Sequence, residues 1–248
     1  MSLPIALLIL ITTLISAFIS GIFGMAGGLI LMGLLVAVTT IPQAMIIHGV
    51  LQFFSNAWRA YLLRDHINWR IIGNYSIGGG CAVVCLAFIS WTPNKQMLYF
   101  LLGMMPLLIW LPKRLFYADI LRRLDCILAG FLVIGLNTLA GVAGPVLDLF
   151  FVRSELTRQG IVANKSTTQA CAHLIKIAFW TGPALKVAGV SSLPPLWLML
   201  AALPLSLLGT WLGGLVLERM NDNNFKRYMR WLVTLIGGIF LLRGLGLF

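Results

Sequence analysis

Charge is scarce in this sequence. Charged residues make up 10% of its 248 positions, against roughly a quarter in an ordinary soluble protein. Acidic residues number only seven. A site that holds cations through paired carboxylates therefore has little to be built from. Cysteine is also sparse. Cys81, Cys85, Cys126 and Cys171 all lie in apolar stretches with no C-x-x-C spacing. That argues against a disulfide framework or a zinc site and leaves them as small core hydrophobes. The chain has no nucleotide-binding glycine loop and no nucleophile–base pair. An enzyme is a poor fit, and neither a cofactor nor a metal is expected. The N-terminus lacks a basic leader and a cleavage site, so its first apolar stretch reads as a retained helix rather than a signal peptide.

Apolar residues dominate, at 60% of the chain. Runs such as LPIALLILITTLISAFISGIF from Leu3 reach the about 20 residues that a helix needs to cross a bilayer. Open sheet is excluded, because lipid cannot satisfy its backbone. A β-barrel would show segments of about ten alternating residues, and these runs are continuous. The fold expected is all-α and polytopic. The net charge of +11 does not indicate nucleic acid, because the basic residues cluster between apolar spans, as in cytoplasmic loops and headgroup contacts. The clusters are Arg64–Arg70, Pro112–Arg123, Arg153–Arg158 and Glu218–Arg230.

With the basic loops placed inside, spans at 43–63, 70–90, 97–111, 161–182, 193–217 and 228–247 alternate direction. Residues 3–40 and 124–152 must then return to the side they left, as two hairpins, with both chain termini outside. Each hairpin has a glycine cluster at its middle, GIFGMAGG (Gly21–Gly28) and AGVAGP (Ala140–Pro145). Broken backbone at membrane depth is tolerated only where protein or a wet cavity surrounds it, and each arm reads as short for a full crossing.

The clusters also align with each other. Gly24, Ala26 and Gly27 superpose on Gly141, Ala143 and Gly144, 117 residues on. The same offset brings Gln52 onto Gln169, Arg59 onto Lys176, His48 onto Lys165 and Asn56 onto His173. The chain thus reads as an inverted repeat of 1–117 and 118–248, each half a glycine-broken hairpin plus three transmembrane helices, together one membrane domain. Transporters of this plan bind their substrate at interrupted helices near the midplane.

Two polar stripes follow from the alignment. His48, Gln52, Asn56 and Arg59 fall on one helical face, as do Lys165, Gln169, His173 and Lys176. Neither stripe contains a carboxylate, and an array of donors suits an anion. The competing reading has Arg59, Lys165 and Lys176 snorkelling to headgroups and the others bonding between helices. The glycine breaks supply a second set of donors, since helix ends with free N–H groups attract anions. Gly24, Gly27, Gly28, Gly141 and Gly144 would let backbone approach a ligand, with close helix packing as the alternative. Gly78–Gly80 and Gly213–Gly214 are assigned to packing alone. Asp148 is expected either to neutralise Lys165 or Lys176 or to carry a coupling proton, a role His48 and His173 can also fill.

The motifs GMAGG (Gly24–Gly28) and GVAGP (Gly141–Pro145), opening two hairpin-plus-helices halves, resemble those of the sulfite exporter TauE/SafE family. The resemblance covers nearly the whole chain and departs from the usual pattern at Pro145, where a glycine is common. It implies a bacterial inner-membrane protein that moves sulfite or an organosulfonate. The reading is therefore a secondary transporter working by alternating access, with a passive anion channel or a non-transporting complex subunit as rivals. Its expected partners are a small anion and the bilayer, with self-association left open. The sites assigned are Gln52, Asn56, Gln169 and His173 around the anion, and Arg59, Lys165 and Lys176 in vestibules on the two faces.

Overall fold

A computed structural model describes residues 2–23, 26–88, 93–110, 112, 117–151, 154–220 and 222–247. Gly24, most of the turn after Ala87, residues 113–116 and residues 152–153 of the basic connections lie outside the described residues. Those that are described fold as α1 (Leu3–Phe23), α2 (Ala26–Val38), α3 (Ile41–Leu62), α4 (Trp69–Ala87), α5 (Lys95–Met104), α6 (Arg123–Ala140), α7 (Gly144–Phe151), α8 (Arg158–Ala188), α9 (Leu196–Glu218) and α10 (Asp222–Gly244), joined by turns and short 3-10 segments.

Local chemistry sets several boundaries. Thr40 caps α3 by accepting from Gln43 N at 3.4 Å, with Pro42 in the first turn. Asn68 caps α4, Asn94 caps α5 and Thr157 caps α8 in the same way. Such caps satisfy N–H groups that the helix leaves orphaned. Gly141 ends α6 in the left-handed region at φ 84°, where any residue with a Cβ is strained.

Among the described residues, four helices are long and apolar enough to cross a membrane: Leu3–Phe23, Trp69–Ala87, Arg123–Ala140 and the Leu196–Leu217 stretch of α9. They form two pairs. α1 packs on α9, and α4 on α6. Both contacts run through glycine. A Cβ on Gly209 would stand 2.6 Å from Leu14 O, and one on Gly78 would overlap Ile127 O. Gly213 and Gly79 are filled against neighbours in the same manner, whereas Gly80 and Gly214 face open space and play no part in packing. α1 buries small residues such as Ala6, Ser16 and Ala17 and exposes Leu3, Leu7, Ile11 and Ile15. That inverts the pattern of a soluble helix and fits a lipid-facing surface.

α3 and α8 are long enough to span, at 22 and 31 residues, but are not among the four apolar spans. They pack against each other, with α1 also against α2 and α5 against α10. Gln43 at the start of α3 donates to Ser192 O beyond the end of α8, at 3.0 Å. Asn164 near the start of α8 accepts from Asn68 N at 3.0 Å and donates to His66 O at 3.3 Å, beyond the end of α3. The two polar helices are therefore antiparallel, tied by an amide side chain at each end.

Three expectations need correction. The expected span at 97–111 is α-helical only to Met104 and tightens to 3-10 over Met105–Trp110, because Pro106 cannot donate to a helix interior. The connection expected from 182 is helix as far as Ala188, with Pro183 accommodated inside α8. The two arms of each broken segment are unequal. α1 and α6 have the length to cross, while α2 and α7, at 13 and 8 residues, reach only about 20 and 12 Å at 1.5 Å per residue.

Candidate functional site

At the centre, α3 and α8 approach closely at Gly49, where a Cβ would stand 2.7 Å from Ile177 Cγ1. Lys176 lies beside this contact and is completely buried. Its Nζ donates to His48 Nδ1 at 2.8 Å and to Gly141 O at 2.9 Å. With Nδ1 accepting, the imidazole proton sits on Nε2, which donates to Gly28 O at 3.1 Å. A continuous link, Gly28–His48–Lys176–Gly141, thus joins the two glycine breaks across the two polar helices. His173 stacks obliquely on His48 with ring centres 5.5 Å apart. Its Nδ1 lies 3.5 Å from Asn137 Nδ2. Asn137 Oδ1 and Thr138 Oγ1 are buried without a hydrogen-bond partner.

Lys176 was expected near a helix end, free to reach headgroups. Because α8 continues to Ala188, position 176 is deep inside it and snorkelling is ruled out. The amine keeps two neutral partners and no carboxylate among the described residues. Protonating an amine so placed is costly, a cost that an anion beside it would relieve.

The other predicted residues divide by location. Gln52 sits one turn from His48, with its Nε2 3.5 Å from where a Cβ on Gly28 would lie. Asn56 is buried and donates to Gln52 O at 2.9 Å, a bond along its own helix. Gln169 is half-buried on α8. Gly27 presses on α1, where a Cβ would overlap Ser16 O, so it is a packing glycine. Gly144 opens α7. Lys165 forms an ion pair with Asp148, one of the two pairings expected for that carboxylate. It lies 11 residues from Lys176, about 16 Å along the helix. Arg59 is in the last turn of α3. Since α3 and α8 are antiparallel, Arg59 and Lys165 fall toward the same end of the pair, as the alternating spans require, while Lys176 lies deep in α8 and not in a vestibule at the other face.

Sequence reasoning missed a second polar region. Thr13, Ser16, Ala17 and Ser20 of α1, Leu31 of α2, Gln52 and Ser55 of α3, and Ser206 and Thr210 of α9 line a small cavity. Isolated hydroxyls in apolar spans give little warning, because each can bond the preceding turn of its own helix. For Asn137 a signal was present: it falls on Ser20 at the 117-residue offset.

Neither a curated protein nor a solved structure matches the chain. A family does. The model of the Sulfite exporter TauE/SafE family matches residues 8–240, a stretch that takes in both glycine breaks, both polar helices and the link between them, so this chain belongs to that family of membrane transporters.

Proposed function

We propose that the protein is a secondary transporter that exports a small sulfur-containing anion, sulfite or an organosulfonate, across the bacterial inner membrane by alternating access. The observation that carries this reading is Lys176, a buried amine whose partners among the described residues are neutral, held where the two glycine breaks meet. The anion would join Lys176, Gln52, Asn137 and His173. It would compete with Gly141 O and His48 Nδ1 for the Lys176 protons, so that binding loosens the link between the breaks. Lys165 and Arg59 would draw the anion in from the basic side. A membrane potential, negative inside, expels an anion with about 2.3 kcal/mol per charge per 100 mV.

The inverted repeat belongs to this proposal. The packing of α1 on α9 and α6 on α4, with α3 on α8 and α5 on α10, is what a two-fold relation between 1–117 and 118–248 requires. In that arrangement α2 and α7 are re-entrant arms, and both termini lie outside.

Thermal melts of the detergent-solubilised protein test the reading, with sulfite, thiosulfate, sulfate, sulfoacetate, taurine, acetate and chloride as ligands. A ligand that binds only the folded state raises the melting temperature. A shift selective for sulfite or a sulfonate, lost in Lys176→Gln and in the Gln169→Leu/His173→Leu double variant, is expected. Sulfite flux that survives Lys176→Gln unchanged in proteoliposomes would overturn the assignment of Lys176.

A further inference from the structure

The hydroxyl-lined cavity between α1, α2, α3 and α9 shares Gln52 with the anion site just described, and its hydroxyls have no part in that site. We infer that it binds a sodium ion that stays in place and raises the affinity of the neighbouring anion site, since a sodium carried out with the anion would cancel the charge that the membrane potential acts on. The inference rests on the transport reading for its coupling but not for the site itself.

The cavity's chemistry is that of neutral oxygen. Ser16 Oγ donates to Thr13 O at 3.2 Å, and Thr210 Oγ1 donates to Ser206 O at 2.8 Å. Both protons are committed to helix backbone, so these oxygens turn lone pairs outward. Thr13 is 1% exposed, lines the cavity, and its Oγ1 has no hydrogen-bond partner. Ser206, buried, and Gln52 and Ser55, half-buried, complete the wall. A buried hydroxyl left unpaired is costly, and a ligand that accepts its lone pair removes that cost.

Size and charge select the ligand. The space holds about one water-sized occupant, too little for a four-atom oxyanion. Among the described residues, no charged one lines it. A divalent ion would want carboxylates, whereas a dehydrated monovalent ion is satisfied by hydroxyl and amide oxygens. Gln52 connects the two sites. It lines the cavity and also stands beside Gly28, one helical turn from His48. Sodium there would be repelled by Lys176 alone and held when an anion lies between them. Each ligand then raises the affinity of the other by the same factor.

Melting of the purified full-length protein in sodium, potassium and choline chloride, at equal chloride and ionic strength, tests this. Sodium should raise the melting temperature by several degrees over choline, and potassium should not. Thr13→Val and Ser206→Ala should each raise the sodium concentration for half-effect at least tenfold. In choline, Thr13→Val should melt no lower than the parent, because the hydroxyl it removes has no partner. Equal melting in all three salts, or a sodium shift untouched by both variants, would overturn the site. A sulfite shift of equal affinity in sodium and choline would overturn the coupling and leave the anion site standing. A sodium shift with no response to any anion supports the cavity and removes the transport reading instead.

Discussion

The two glycine breaks occupy matching places in the chain and do different work. The first, before α2, sits among neutral groups: Gly28 O accepts a hydrogen bond from His48 Nε2, and Ser and Thr hydroxyls line the neighbouring cavity. The second, before α7, sits among ionisable side chains: Gly141 O accepts a hydrogen bond from Lys176 Nζ, and Asp148 pairs with Lys165 on the next helix. Equal scaffolds with unequal chemistry are what a device that binds two different ions requires. A site built identically on both sides would offer each ion the same pair of places.

That contrast can be broken at its strongest point first. Lys176→Met should remove the anion-dependent melting shift and cut sulfite flux in proteoliposomes by two orders of magnitude or more, since it deletes the one amine at the link. Changing Gly141 to Ala comes next. It forces a Cβ into the left-handed region, at 2.7 Å from Met32 Cε, and should lower stability by about 1–2 kcal/mol, read as an earlier detergent melt. Gly28→Ala is the matched control. Its Cβ would meet Gln52 Nε2 at 3.5 Å, an ordinary contact, so the melt should hold while anion affinity falls. A fall in stability as large as that of Gly141→Ala would erase the difference drawn between the breaks. Asn164→Leu should act more mildly. It unties α8 from the turn after α3 at one end only, and hydrogen exchange should quicken around residues 66–68 and not around Ser192. Asp148→Asn should do least. Its ion pair with Lys165 is about a third exposed, and such pairs contribute about 0–1 kcal/mol. Flux should change through entry rate, and the change should shrink as salt rises.

Much of the fold was legible from composition and periodicity. The helices, the two breaks and the polar faces of α3 and α8 all follow from apolar run length and from four-residue spacing. The 117-residue offset also pointed to Gln52 and His173, two of the residues on which the proposed anion site draws. What the sequence did not reveal was depth. Lys176 looked terminal because Gly182 and Pro183 suggested a stop, yet α8 runs through both. A proline costs a helix one interior bond and a local clash, which tight packing against α3 can override. The link itself was hidden for another reason. It joins His48 to Lys176, residues the offset does not align, and a contact between halves leaves no periodic trace in either. The hydroxyls of α1 and α9 were passed over because Ser and Thr are ordinary residues in apolar helices.

The polarity of α3 and α8 also bears on how the chain is made. A segment enters the bilayer from the translocation machinery readily when its own apolar residues favour it. α3 carries His48, Gln52, Asn56 and Arg59, and α8, against which it packs, starts about a hundred residues later. Of the helices that α3 packs on, α2 is made before it, while α8 and α9 come only after four more helices have been made. Its stable placement is therefore a late event, and a nascent chain released before Arg158 would expose a polar stripe for the quality-control proteases of the membrane to find.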